Sequence, residues 1–159
     1  MTIQIGDRIP SIVIARMSAQ GPQPVNTADY FAKRKVVLLA VPGAFTPTCS
    51  AYHLPGFVEN YDKFKSKGVD AIACISVNDV FVTHAWGKSA KATDIDMLAD
   101  GNGEFTMTLG LEMDGTAFGM GKRSQRFALI AEDGIVTQLM VEAPGEFRVS
   151  SAESVLSSL

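Results

Sequence analysis

The sequence predicts an α/β protein in which a mixed central sheet is flanked by helices. Two continuous apolar runs, residues 35–41 (KVVLLAV) and 69–77 (VDAIACISV), have the composition of strands buried on both faces. A helical pattern lies between these runs, and another follows the second run. Near the C-terminus, residues 126–130 and 135–141 flank the turn sequence 132–134 (EDG), which predicts a β-hairpin and adds antiparallel pairing to the sheet.

Length and composition limit the classes of protein. The 159 residues predict one domain over 1–159, and 47% hydrophobic with 19% charged residues is typical of a globular chain. A net charge of -3, with no basic block longer than residues 33–35, argues against a nucleic-acid partner. The N-terminus lacks signal-peptide features and no apolar run is long enough for a bilayer, so we expect no membrane partner. We expect a cytoplasmic protein, with an organelle left open for a chain that has lost a targeting segment.

The N-terminal part is predicted to contain short strands and one short helix. Residues 3–14 alternate loosely and are interrupted by glycine and proline, which predicts short strands at a sheet edge. Residues 21–24 (GPQP) predict a turn. Asn26 or Thr27 is a suitable cap for a helix ending at Phe31, and the first buried strand follows.

The remaining elements follow from periodicity and capping residues. A helix is predicted from about Ser50 to Gly68, with a kink or a first turn at Pro55. The next predicted elements are a helix capped by Asn78 or Asp79 and ending near Lys88, a strand over 95–99 and a helix over 104–109. A glycine-rich loop is predicted over 110–121. The last predicted helix extends to Leu159, and Ser150 with Glu153 forms its capping box.

Residues 42–50 (PGAFTPTCS) join the first buried strand to the helix that follows, and they place Cys49 at the junction. The first N–H groups of a helix lack internal partners, and the macrodipole favours negative charge there. A cysteine in this position with a nearby cation is favoured as a thiolate, which is the nucleophilic form. The alternative is a small buried core cysteine. The prolines, threonines and glycine around Cys49 favour the reactive thiol.

The second cysteine, Cys74, lies inside the second strand-like run. The two cysteines form no CxxC motif, and in a reducing compartment thiols are expected rather than a structural bridge. One interpretation is a buried and inert thiol. The other is a resolving cysteine that forms a disulfide with Cys49, which requires Cα atoms within about 7 Å.

Four stretches carry a family resemblance: residues 42–50 (PGAFTPTCS), 53–57 (HLPGF), 75–79 (ISVND) and 123–129 (RSQRFAL). Together they resemble the peroxiredoxins, in the wording of the type II, or peroxiredoxin-5-like, subfamily, and the resemblance extends over essentially the whole chain. It implies a thioredoxin-like fold with N-terminal β additions. It also implies an antioxidant enzyme without a cofactor, which reduces hydrogen peroxide and alkyl hydroperoxides through a sulfenic acid on Cys49.

The resemblance also implies site residues. The peroxidatic motif of the family maps onto Pro42, Thr46 and Cys49, together with Arg126. In this mapping the Cys49 thiolate attacks the peroxide, Thr46 hydrogen-bonds to it, and Pro42 shields the sulfur. Arg126 stabilises the negative charge. Lys122 and Arg123 lie close enough in sequence to compete for that role, and only the resemblance favours Arg126.

The histidines carry weaker signals. His53 follows Cys49 by four residues, so the two could form a Cys–His nucleophile pair on one helix face, or His53 could be a capping or surface residue. Two histidines and two thiols without ligand spacing predict no metal site. His84 and Trp86 are interpreted as helix-packing residues.

The predicted peroxidase needs an external thiol because the chain has no second domain with a CxxC. Glutathione with glutaredoxin, or thioredoxin, is the expected reductant. The resemblance further implies a homodimer, for which Phe45, Phe81 and Phe118 are candidate contacts or alternatively core residues. Two rival functions stay open: a thiol–disulfide oxidoreductase, which the missing CxxC disfavours, and a non-catalytic redox sensor or chaperone.

Overall fold

The computed structural model describes residues 1–159. Its strands are β1 (Val13–Ser18), β2 (Gly21–Asn26), β3 (Lys35–Ala40), β4 (Ala71–Ser76), β5 (Asp96–Ala99), β6 (Glu112–Asp114), β7 (Lys122–Ser124), β8 (Phe127–Glu132) and β9 (Ile135–Val141). Its α-helices are α1 (Thr27–Phe31), α2 (Leu54–Glu59), α3 (Tyr61–Ser66), α4 (Val80–Ser89), α5 (Glu104–Leu109) and α6 (Ala152–Ser157).

Seven strands form one mixed sheet in the order β2-β1-β5-β4-β3-β8-β9. Strand β3 pairs in parallel with β4 and antiparallel with β8, so it lies in the interior of the sheet. The predicted α/β architecture is therefore present. The two buried strands and the C-terminal hairpin are found where the sequence predicted them.

Both faces of the sheet are covered, which explains the continuous apolar runs. Along β3, Val36, Leu38 and Ala40 belong to one core cluster, whereas Val37 and Leu39 belong to the other. Helices α1 and α5 cover the first cluster, and α2, α3, α4 and α6 cover the second. The second cluster contains both cysteines. The candidate site therefore lies on the face covered by four helices.

The predictions for the N-terminal strands were partly wrong. The first paired strand begins at Val13, and before it only Arg8 forms an isolated bridge, with Ile135. Residues 21–24 lie in strand β2 rather than in a turn. Pro22 and Pro24 are tolerated because β2 is an edge strand that pairs only with β1. On its other side no strand accepts a hydrogen bond, so a residue without a backbone N–H is accommodated there.

Two C-terminal predictions also need correction. Residues 110–121 are not simply a loop, because β6 and β7 pair as a small second sheet around a 3₁₀ turn (Thr116–Phe118). The cap of α6 is Ser151, whose side chain accepts a hydrogen bond from the Ser154 N–H, rather than Ser150. The Ser150 side chain is directed away from α6, and its hydroxyl donates to the Glu142 carboxylate, 2.6 Å away.

The chain after Cys49 is less regular than one predicted helix. It begins with a π-helical turn (Cys49–His53), continues as α2 and breaks at Asn60 before α3. Pro55 lies in the first turn of α2, which agrees with one of its two predicted positions. The Asn60 side chain donates to the Gly56 carbonyl, 2.8 Å away, and thereby competes with helix continuation. The helix ends before Gly68, which has a φ of +88°, as predicted.

Candidate active site

The loop between β3 and Cys49 is held by hydrogen bonds on both sides. The Ala44 N–H donates to Asn78 Oδ1 at 2.9 Å, which fixes the loop to the end of β4. Within the loop, the Thr46 hydroxyl donates to the Gly43 carbonyl at 2.7 Å. Because the hydroxyl proton of Thr46 is used in this bond, its oxygen can only accept a hydrogen bond from a ligand. Pro42 is half-buried at the start of this loop.

Arg123 binds the loop from the side of the small second sheet. Its Nη1 donates to the Pro42 carbonyl at 3.3 Å and its Nε donates to the Met120 carbonyl at 2.9 Å. A Cβ at position 43 would lie 2.7 Å from Arg123 Nη1, so only glycine leaves room for this contact. Arg123 therefore supports the loop, whereas Lys122 is exposed.

Arg126 is the arginine that reaches the sulfur. Its Nη2 donates to Cys49 Sγ at 3.2 Å. The placement follows from strand register: Phe127 of β8 lies opposite Ala40 of β3, so Arg126 lies beside the point where the loop leaves the sheet. Cys49 is fully buried, with 0% of its surface exposed. The Arg126 guanidinium therefore places a positive charge directly against the buried sulfur.

His53 contacts Arg126 rather than Cys49. Its Nδ1 lies 2.9 Å from Arg126 Nη1, and its Nε2 lies 3.0 Å from the Ser150 carbonyl oxygen. Burial, together with the Arg126 charge, lowers the pKa of His53 from 6.5 to about 3, so the ring is neutral. The interpretation of His53 as a partner base of Cys49 was wrong, because both ring nitrogens are already bonded to other groups. It is buried, so the surface interpretation was wrong as well.

Three residues near the site were not predicted from the sequence to belong to it. Glu142 and Ser150 form a buried hydrogen-bonded pair behind His53. The Phe147 ring lies 5.8 Å from Arg126 Cζ and 5.1 Å from the His53 ring. These residues belong to the segment between β9 and α6, far from Cys49 in sequence. Only their tertiary contacts identify them.

Cys74 lies in the centre of β4, opposite Leu39 of β3. It is 1% exposed, and both cysteines are free thiols. Burial raises the pKa of the Cys74 thiol well above its ordinary value, and the neighbouring Cys49 raises it further. Cys74 is therefore an un-ionised thiol enclosed in the core of the reduced protein.

Other residues noted in the sequence are also located. Trp86 is buried and donates from Nε1 to Ser50 Oγ at 3.0 Å, which confirms it as a packing residue. His84 is exposed, so the packing interpretation of His84 was wrong. Phe45, Phe81 and Phe118 are 53%, 64% and 81% exposed, so they are not core residues. No helix combines the length and the apolar character that crossing a bilayer requires.

A buried cysteine at the start of a helical segment, with a guanidinium on its sulfur, is the arrangement of an enzyme with an activated thiol nucleophile. The family model named Redoxin matches residues 4–156. Peroxiredoxin-2B of Arabidopsis thaliana is 48% identical over 159 residues, which cover 99% of this chain and 98% of that protein. Peroxiredoxin-2E-2, chloroplastic, of Oryza sativa subsp. japonica is 50% identical over 164 residues, covering 99% of this chain and 73% of that protein.

Solved structures agree with the sequence comparisons. The structure of reduced Prx3 from Vibrio vulnificus in complex with H2O2 superimposes with a TM-score of 0.96 at 50% identity, and the match covers 99% of both chains. The chain belongs to the peroxiredoxin family. The predicted thioredoxin-like fold is confirmed, and the protein is a thiol-dependent peroxidase that acts on peroxides.

Proposed function

We propose that Cys49 is the peroxidatic residue and that Arg126, Thr46 and Pro42 assist it directly. The observation that carries this proposal is the 3.2 Å contact from Arg126 Nη2 to Cys49 Sγ. A guanidinium on the sulfur favours the attacking thiolate and remains in place as negative charge moves to the peroxide oxygens. Arg123, the competing arginine, is occupied with two backbone carbonyls of other residues.

In the proposed reaction, the Cys49 thiolate attacks the terminal oxygen of a hydroperoxide. An S–O bond forms as the O–O bond breaks, and the sulfur is oxidised by two electrons to a sulfenic acid. The second oxygen leaves as hydroxide or alkoxide and takes a proton to become water or an alcohol. Thr46 accepts a hydrogen bond from the terminal O–H, because its own proton is donated to the Gly43 carbonyl. Pro42 limits the access of water to the sulfur.

We propose that an outside thiol completes the cycle, supplied by glutathione with glutaredoxin or by thioredoxin. The incoming thiol forms a disulfide with Cys49 and releases water, and a second thiol then reduces that disulfide. The burial of Cys74 in β4 supports this assignment because an enclosed, un-ionised thiol is a poor resolving nucleophile.

A homodimer is proposed from three exposed aromatic side chains, those of Phe45, Phe81 and Phe118. Phe45 lies on the loop itself and has a φ of 63°. Phe81 lies three positions after Asn78, whose side chain binds the loop. Phe118 ends the 3₁₀ turn between β6 and β7, and Arg123 of β7 also binds the loop. Aromatic side chains are enriched at protein–protein interfaces, so their exposure here favours a partner surface. Sedimentation velocity on the wild type and on Phe118→Glu should give a dimer and a monomer, respectively.

We propose a reducing compartment, with the cytoplasm as the first choice, because both cysteines are free thiols. The chloroplastic rice relative supports an organelle as the alternative. Fractionation of source cells followed by immunoblotting distinguishes the two locations.

Peroxide consumption by the purified protein tests the assignment of site residues. Cys49→Ser should abolish turnover, and Thr46→Val should slow it by about 10² while circular dichroism stays unchanged. Glutathione with glutaredoxin and thioredoxin with its reductase should be supplied in parallel arms, since sustained turnover identifies the reductant. Insulin-disulfide reduction in the same samples measures the oxidoreductase alternative. Normal peroxide turnover by Cys49→Ser would show the assignment to be wrong.

A further inference from the structure

His53 is enclosed between Arg126 and the C-terminal segment, and its two ring nitrogens have different partners. A guanidinium can only donate hydrogen bonds, so the Nδ1 atom facing Arg126 Nη1 at 2.9 Å must accept. A carbonyl oxygen can only accept, so the Nε2 atom facing Ser150 O at 3.0 Å must carry the proton. The partners therefore determine one neutral tautomer of His53.

Glu142 holds the segment that supplies the Ser150 carbonyl. Its Oε2 accepts hydrogen bonds from the Ser150 N–H at 2.8 Å and hydroxyl at 2.6 Å, and from the Val149 N–H at 2.9 Å. Both carboxylate oxygens also accept from the Arg148 N–H at 2.8 Å. A carboxylate that satisfies three consecutive backbone N–H groups fixes the path of this segment.

The chain of contacts returns to Arg126 itself. The Glu142 N–H donates to the Arg126 carbonyl at 3.0 Å, so the residue that holds residues 148–150 is itself hydrogen-bonded to the backbone of Arg126. The Phe147 ring, at 5.8 Å from Arg126 Cζ, covers the guanidinium from the same segment. The planar guanidinium is thus held at Nη1 while Nη2 points at the sulfur.

We propose that His53 is a positioning residue for the peroxidase reaction, held by Ser150 and Glu142, and that it aims the Arg126 guanidinium at Cys49. This inference rests on the proposed role of Cys49. Arginine has a long flexible stem, so one fixed arm of the fork restricts the direction of the other. The charged or titratable groups around His53 are Arg126 and Glu142, and Cys49 lies beyond Arg126. Without the acceptor at Nδ1, Nη1 would be left unpaired and the guanidinium would turn away from the sulfur.

Two substitutions at His53 separate the polar role from the volume of the ring. His53→Phe keeps an aromatic ring but removes both nitrogens, whereas His53→Gln keeps one acceptor and one donor. The measurements are the second-order rate with hydrogen peroxide and the pH profile of Cys49 alkylation in a Cys74→Ala background. His53→Phe should lower the peroxide rate about tenfold and move the midpoint of the alkylation profile to higher pH. His53→Gln should stay within about threefold of the wild-type rate.

A double-mutant cycle with Arg126 tests whether His53 acts through the arginine. In an Arg126→Ala background, His53→Phe should change the peroxide rate by less than about twofold, because the group that it positions is gone. A general effect on folding would instead persist in that background and would overturn the inference, as would a folded His53→Phe variant with the wild-type rate.

Glu142→Gln provides a second route if His53→Phe fails to fold. It should lower the peroxide rate about threefold with the same shift of the alkylation profile, whereas the exposed Glu146→Gln should change neither. Identical behaviour of these two variants would overturn the role of Glu142. A fully active Cys49→Ser would invalidate the proposed function itself, whereas an inactive Cys49→Ser with normal His53→Phe and Glu142→Gln would reject only this inference.

Discussion

Arg126 Nη2 lies 3.2 Å from Cys49 Sγ although 77 residues separate the two in the chain. The same guanidinium contacts His53 through Nη1, so both arms of the fork are engaged. A lysine could supply the charge but not two fixed donors. The site therefore depends on the geometry of the arginine as well as on its charge.

The first prediction concerns that geometry. Arg126→Lys should lower the second-order rate with hydrogen peroxide by about 10² to 10³, because a single ammonium is unable to bind His53 and direct a donor at the sulfur together. Stopped-flow peroxide consumption measures the rate. Lys122→Ala is the matched control: the residue is exposed, and its removal should leave the rate unchanged. A near-normal rate for Arg126→Lys would mean that charge alone suffices.

The second prediction concerns the support of the active-site loop. In Gly43→Ala the new methyl group would lie 2.7 Å from Arg123 Nη1, so Arg123 must withdraw from the Pro42 carbonyl. We expect the peroxide rate to fall between about three- and tenfold, with an equal loss in Arg123→Ala and no further loss in the double variant. Gly101→Ala is the control, since its methyl group would meet neighbours at an ordinary 3.7 Å. Additive losses would contradict a shared mechanism.

The third prediction concerns acid stability. His53 has its pKa lowered from 6.5 to about 3 by burial and by Arg126, so below pH 6.5 the unfolded state binds a proton that the folded state does not. The contribution of His53 to the free energy of unfolding is therefore retained above about pH 6.5 and is lost progressively as the pH is lowered towards 3. Urea unfolding should give a free energy of unfolding about 2 kcal/mol lower at pH 5 than at pH 7.5.

His53→Gln is the control for this acid effect, because glutamine does not titrate in that range. In His53→Gln, the loss of about 2 kcal/mol between pH 7.5 and pH 5 that is due to His53 should be absent. The pKa of the Glu142 carboxyl is also perturbed: burial raises it, but the opposing hydrogen bonds from Ser150, Arg148 and Val149 lower it more, so the net pKa lies below the ordinary value. That group loses its contribution only at lower pH. An unchanged pH dependence in His53→Gln would refute the assignment to His53.

The fourth prediction concerns Cys74. After one equivalent of hydrogen peroxide in the presence of a sulfenic-acid trap, intact mass and labelled-site analysis should find the adduct on Cys49 and a free Cys74. The reason is that Cys74 is enclosed in β4 and remains un-ionised. Cys74→Ala should keep full turnover with the external thiol. An internal Cys49–Cys74 disulfide would instead mean that β4 opens during the cycle.

Local chemistry was enough to predict much of the fold. Continuous apolar runs identified β3 and β4, and residues 132–134 were recognised as a hairpin turn. The helix caps Asn26 and Asp79 were each one of two neighbouring candidates. Each of these signals depends on residues a few positions apart. The misplaced N-terminal strands failed for the opposite reason, because pairing partners decide which weakly alternating segments enter a sheet.

The candidate site divided in the same way. Pro42, Thr46 and Cys49 form one short motif that could be recognised in the sequence, whereas the choice of Arg126 over Arg123 depended on a family resemblance. His53 was given the wrong partner because helical spacing relates it to Cys49, while its actual partners lie 73 and 97 residues away. Glu142 had no signal, since an acidic residue near a strand end is usually solvated.

The sequence by itself therefore determined the buried strands, the turn and the cysteine at the start of a helix, because these follow from the polarity and backbone preferences of neighbouring residues. Only the tertiary structure decided which arginine meets the sulfur and which tautomer His53 adopts. The register between β3 and β8 places Arg126 beside the loop. The segment between β9 and α6 brings the Ser150 carbonyl to His53. Such distances arise from packing across the whole sheet and cannot be read from spacing along the chain.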